Sequence, residues 1–294
     1  MDERYDMVRV VRDKRYIYIR NYMPHKIYGQ YISYMFATPT TRTWHDLYYA
    51  GKLNTAQGRF WETKPAEELY DLQADPDEVN NLAGSKKHAA ILQRLRTAQQ
   101  AKAVAIRDIG FLPEGEIHSR AGDRAPYDMG HNPKLYAIEP IMAAAEQASS
   151  LKPEDTPALI KLFSHQDSAV RYWAAMGLLM RGEKAVAQGQ GALRKALGDK
   201  STAVACIAAE ALGRYGKGKD VALAAETLIQ YGDGSKNDIF TAMLALNGLD
   251  YMDERAAKYA NQIKALPNSA AVTPGRMGAY IKNLLGKINA DLAK

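Results

Sequence analysis

Hydrophobic and polar residues alternate with a period of two near the start of the chain. Beyond about residue 137 they recur at helical spacing. Tyr5 to Val11 and Arg15 to Arg20 predict two strands joined by a tight turn at Arg12-Asp13-Lys14. In the second strand Tyr16 and Tyr18 take one face, and Ile17 and Ile19 take the other. A third strand is expected at Glu68-Leu69-Tyr70-Asp71-Leu72. Three strands this short make a small sheet whose apolar face needs a cover, and the nearby sequence supplies none. Since the first strand starts almost at Met1, the expectation is that the covering part lies upstream.

Asp75-Pro76-Asp77-Glu78 predicts the opening of a helical turn, with Asp75 as cap, Pro76 in the first helical position and Glu78 completing a capping box. A longer helix is expected from about Ser85 to Ile109, its apolar stripe made by Ile91, Leu92, Leu95 and Val104. Pro113, Gly115, Gly122, Pro126, Gly130 and Pro133 then punctuate a stretch that reads as a linker or a strap.

Past that stretch a repeat appears. Ala169-Val170-Arg171-Tyr172-Trp173-Ala174-Ala175 is echoed 34 residues later by Ala203-Val204-Ala205-Cys206-Ile207-Ala208-Ala209, and Gly182 aligns with Gly216. A weaker third copy runs through Ile239, Ala242, Met243, Leu246 and Leu249. Helix pairs at this period, with alanines where helices touch, describe a HEAT-like α-solenoid. A final helix behind Pro274, carrying Tyr280, Ile281, Leu284, Leu285 and Ile288, would cap it. The expected architecture is α+β, a small antiparallel sheet with a packed helix, followed by an all-α solenoid. Its parts are residues 1–110, a linker or strap over 111–136, and the solenoid over 137–294.

Composition narrows the function classes. Hydrophobic residues are 47% and charged residues 24% of 294, ordinary for a globular chain. No run approaches the ~18 apolar residues of a membrane span. The net charge of +6 is spread among acids, with neither a basic block nor a reading motif, so nucleic acid is not an expected partner. One cysteine, Cys206, excludes an internal disulfide framework and a cysteine-built zinc site. The six histidines form no zinc-binding spacing, Gly216-Lys217-Gly218-Lys219 lacks the context of a nucleotide loop, and Val79 sits where a calcium loop needs a ligand.

The segment Glu67-Glu68-Leu69-Tyr70-Asp71-Leu72, then Asp75-Pro76-Asp77-Glu78 and Asn81-Leu82-Ala83, follows a hairpin running from Val8 to Ile19. This arrangement resembles the C-terminal part of bacterial sulfatases, within the alkaline-phosphatase-like superfamily, and covers residues 1 to about 110. The resemblance implies hydrolysis of sulfate esters or sulfamates, often on sulfated glycans, and a periplasmic or extracellular location. It also implies a formylglycine made from a C/S-x-P-x-R motif and a calcium ion, which stabilise charge on the sulfate. Cys206 is followed by Ile207-Ala208-Ala209-Glu210, without the Pro and Arg, and no Ser starts the motif. The paired aspartates that open the family's catalytic domain have no counterpart either. No catalytic residue or metal ligand is therefore assigned, and both calcium and formylglycine are expected in a missing catalytic domain. The reading is a C-terminal fragment, inactive alone, whose partners are that domain and a sulfated glycan. The alternative is a stand-alone HEAT interaction module whose solenoid takes a protein partner.

Between Arg20 and Tyr49, cations and aromatic rings crowd together. Aromatic faces stack on sugars, and cations pair with sulfate through charge-assisted hydrogen bonds. His25, with Lys26 and Arg20 behind it, is the candidate substrate contact in such a loop. The commoner use of this composition is packing against another domain.

Overall fold

The computed structural model describes residues 3–293, the side chain of Arg276 excepted. The chain forms two compact units. One holds Asp6–Gly110 and Tyr127–Glu139, and the other holds Met1–Tyr5, Phe111–Pro126 and Pro140–Lys294.

The first unit is built on an antiparallel sheet in the order β1 (Val8–Arg12), β2 (Tyr16–Asn21), β3 (Glu67–Asp71). Asp13 makes the hairpin turn, its Oδ1 accepting from the backbone amides of Arg15 (2.8 Å) and Tyr16 (2.7 Å). The hydrogen bond from Tyr16, with a second from Arg94, pulls the Asp13 carboxyl down to about 2. In register Val10 faces Ile19 and Tyr18 faces Leu69. Alternation then sends Tyr16 and Tyr18 to one side, where Tyr18, Leu69, Leu92 and Leu95 form the core. Leu92 and Leu95 come from α2 (Ala89–Ala105); α1 (Pro39–Tyr49) lies in the β2–β3 connection. Burial of a tyrosine needs a partner for its hydroxyl, and Tyr18 donates to Glu67 (2.6 Å), a carboxylate also gripped by Arg96. The buried face of α2 is Leu92, Leu95, Gln99 and Ala103, so Ile91 and Val104 flank the expected stripe.

The opposite side of the hairpin is covered only in part, Asn21 being buried there. Val8 is 36% and Val10 52% exposed, and the neighbouring Ile17 and Ile19 are half-buried.

The helical turn expected at Asp75-Pro76-Asp77-Glu78 does not form. Asp75 spends its carboxylate on the amides of Val79 (3.2 Å) and Asn80 (2.7 Å), and Glu78 turns to a φ of 53°, which closes a loop instead of a helix. The loop returns the chain to β3. Leu82 donates its amide to Leu69 (2.7 Å), the Asn81 side chain accepts from the Leu69 amide (3.0 Å), and it donates to the Glu67 carbonyl (3.1 Å). Asn81 thus stands in for a fourth strand along the β3 edge. Asn81→Ala strands the buried Leu69 amide and is expected to cost ~1–3 kcal/mol. Asn81→Asp keeps the acceptor and should fall between it and wild type in denaturant unfolding.

The second unit is helical. The elements that shape it are α3 (Glu114–Ala121), α4 (Ser168–Arg181), α5 (Thr202–Tyr215), α6 (Lys219–Gly232), α7 (Ile239–Tyr251) and α8 (Tyr280–Asp291). Helix α5 packs on α4, α6 and α7, and α7 packs on α8. Enclosure on every side requires an all-round apolar helix, and every residue from Ala203 to Gly213 is buried. The repeat is visible at the caps, where Asp167, Ser201 and Asp238 each accept a backbone amide at a helix start. Gly182 ends α4 with a φ of 72°. Its counterpart Gly216 is extended, and a Cβ there would lie 2.4 Å from the Leu212 carbonyl.

Of the stretch expected as linker or strap, Phe111–Pro126 belongs to the helical unit and Tyr127–Glu139 to the sheet unit. Glu116 of α3 accepts from Ser168 (2.8 Å) and Ser201 (2.7 Å), beside the starts of α4 and α5. A carboxylate is well placed at helix N-termini. Arg120 bridges Glu116 (2.7 Å) to Asp167 (2.6 Å). Burial pushes the Asp167 carboxyl up, but Arg120 outweighs it and leaves the group below its ordinary range.

Candidate functional site

The segment between β2 and β3 folds back on itself, and that return assembles the site. Asn21 donates its amide to Ala66 (3.0 Å) and Lys64 donates to Pro24 (3.0 Å). Ile27 pairs with Thr63, and Gly29 donates to Phe60 (2.7 Å). These rungs bring Tyr22–Gln30 beside Arg59–Glu68.

Three cations lie inside this layer. Arg20 is 3% exposed, its Nη1 donating to Ala66 (2.8 Å) and its guanidinium 5.0 Å from the Tyr22 ring centroid. Lys26 is 7% exposed, and His25 beside it is half-buried. Lys64 is buried, bonded to Asp6 and 5.7 Å from the Tyr28 ring centroid. Glu68, paired with Ile19 and so on the other face of the sheet from Arg20, accepts from Asn21 (2.6 Å), Tyr28 (2.7 Å) and Tyr70 (2.5 Å). Burial, reinforced by these bonds to Glu68, raises both phenols far above their ordinary range, so they stay neutral donors.

The aromatic residues form an adjoining layer. Trp44 stacks on Phe60 at 4.7 Å, while His45 meets Trp61 edge-on at 5.0 Å and Tyr49 at 4.6 Å. Phe36 closes on His45 and on Trp61. Two rings of the same segment project outward, Tyr34 at 86% and Tyr49 at 74% exposure. The sequence therefore named one segment, and the fold divides it. Arg20 and Lys26 lie in the interior, His25 lies partly so, and the exposed positions include Tyr34, Tyr49 and Arg42. Lys64 was not visible in the sequence, because it joins the cations only through the pairing of Ile27 with Thr63.

The exposed rings can stack on flat apolar faces, while the cations are held inside by internal partners. The residues do not fit the calcium ion or the formylglycine of a sulfatase. Among the described residues no three His, Cys, Asp or Glu side chains converge on a metal position. Cys206 is enclosed in α5, where burial pushes its thiol well above the ordinary range. Among the described residues no helix is long and apolar enough to cross a membrane.

The HEAT repeats family matches residues 156–247. Two curated proteins, both ulvan-active sulfatases of Formosa agariphila, are similar to part of the chain. One is 41% identical over 117 residues, which is 40% of this chain and 20% of the relative. The other is 34% identical over 87 residues, 30% of this chain and 15% of the relative. The chain spans a fifth or less of the length of these relatives. No solved structure matches it significantly.

Proposed function

We propose that this sulfatase-related chain is the C-terminal portion of an enzyme that removes sulfate from sulfated glycans. Its sheet unit works against a catalytic core that these residues do not contain. The 41% identity to an ulvan-active sulfatase carries the reading. The partly open valine side of the hairpin supports it, being an apolar face that a core can cover. The exposed rings of Tyr34 and Tyr49 support the choice of substrate, since aromatic faces stack on sugars. The relative's action on ulvan supports a sulfated polysaccharide of that type as substrate. The calcium ion and the formylglycine belong to the core, and the enzyme works in the periplasm or outside the cell. Arg20, His25, Lys26 and Lys64 stiffen the loop that borders the glycan.

The locus tests this at once. DNA directly upstream of Met1 should encode, in frame, a sulfatase core with a C/S-x-P-x-R motif. A stop codon there with no such core nearby would overturn the reading in favour of a stand-alone interaction module.

A further inference from the structure

Helix α7 carries two residues that core packing does not explain. Asn247 is buried in a helix whose other buried positions are nearly all apolar, and Asp250 follows one turn on. A buried amide or carboxylate costs free energy unless it has partners, and Asn is a weak helix former. Their partners are on Glu3 and Arg4. Arg4 Nη1 donates to Asn247 Oδ1 (2.7 Å), Arg4 Nη2 donates to Asp250 Oδ2 (2.5 Å), and the guanidinium lies 5.2 Å from the Tyr251 ring centroid. Asn247 Nδ2 donates to the Glu3 carbonyl (2.8 Å) as well as to Met243 of its own helix (2.8 Å). Asn283 of α8 donates to the Glu3 carboxylate (3.0 Å), and Lys287 holds the second oxygen of Asp250 (2.8 Å).

One asparagine therefore reads both the backbone of Glu3 and the side chain of Arg4. Separate groups read the two charges, and an aromatic ring covers the guanidinium. Both residues are buried within the helical unit, and Arg4 lies four positions before β1 begins. We propose that α7 and α8 form a peptide-recognition site for a Glu-Arg segment, and that residues 3–5 of this chain occupy it in cis. The solenoid then serves as a clamp on residues 3–5, which belong to its own unit. Its α7–α8 surface is filled by the chain's own sequence. This assignment stands independently of the sulfatase reading.

The test uses the chain lacking residues 1–5 and a fluorescent peptide with the sequence of residues 1–7. Saturable binding is expected, weakened at least ~30-fold when the peptide carries Arg4→Ala. Absence of saturable binding by a truncated chain with native helical circular dichroism would overturn the proposal, as would equal binding of the two peptides. If the truncated chain does not fold, hydrogen exchange on the full chain with Arg4→Met decides. Amides of residues 4–7 should lose protection while those of α5 keep it, and unchanged protection at 4–7 would overturn the assignment.

Discussion

Trp173→Ala is expected to destabilise the helical unit by ~3–5 kcal/mol, read as a lower midpoint in denaturant unfolding. Trp173 is fully enclosed in α4, edge-on to Tyr172 at 5.5 Å, and its indole N–H donates to the Phe111 carbonyl (2.9 Å). The substitution therefore removes a large apolar volume and also the tether that pins the start of the Phe111–Pro126 segment. Trp173→Phe separates the two losses. It keeps most of the packing, removes the indole's bond to the Phe111 carbonyl, and should cost ~1–2 kcal/mol. Proteolytic cleavage within residues 113–126 should become faster in that variant. Unchanged stability and cleavage would mean that Phe111 is held by something other than the indole.

Val10→Asp should do the reverse, leaving the chain folded and disabling the proposed docking on a catalytic core. Val10 is half exposed on β1, so a charge there is solvated in the isolated chain, and stability should change by no more than ~0.5 kcal/mol. Against a covering core the same carboxylate is desolvated without a partner. Affinity for the core should then fall at least ~100-fold, equivalent to about 2.7 kcal/mol. Titration calorimetry with the catalytic core gives the affinity, and thermal unfolding confirms the fold. Equal affinity for the two forms would show that the valine face is not the one covered.

Legibility in the sequence followed the range of the interactions. Strand alternation is a local property, and the tyrosine and isoleucine faces of β2 could be assigned from period two alone. The repeat was legible for a similar reason, since stacked units reuse the same small residues at the same spacing. Asp75 misled because capping and loop closure begin with the same residues. The choice between them came from Asn81 and Leu82 pairing with β3, a contact that no local pattern encodes. The cation layer was only partly legible. Arg20, His25 and Lys26 are neighbours in sequence, but Lys64 reaches them across the fold, and burial turned side chains expected at a surface into interior ones. No local pattern marks Glu3 and Arg4, because their partners on α7 lie more than 240 positions away.

Sulfate released from a sulfated glycan, measured for the purified chain, for the catalytic core and for the two mixed, bears most directly on the account. The chain alone should release none above background, and the mixture should exceed the core. Turnover by the chain alone, or a core indifferent to its addition, would contradict the claim that this fold is one side of a sulfatase whose reactive groups lie elsewhere.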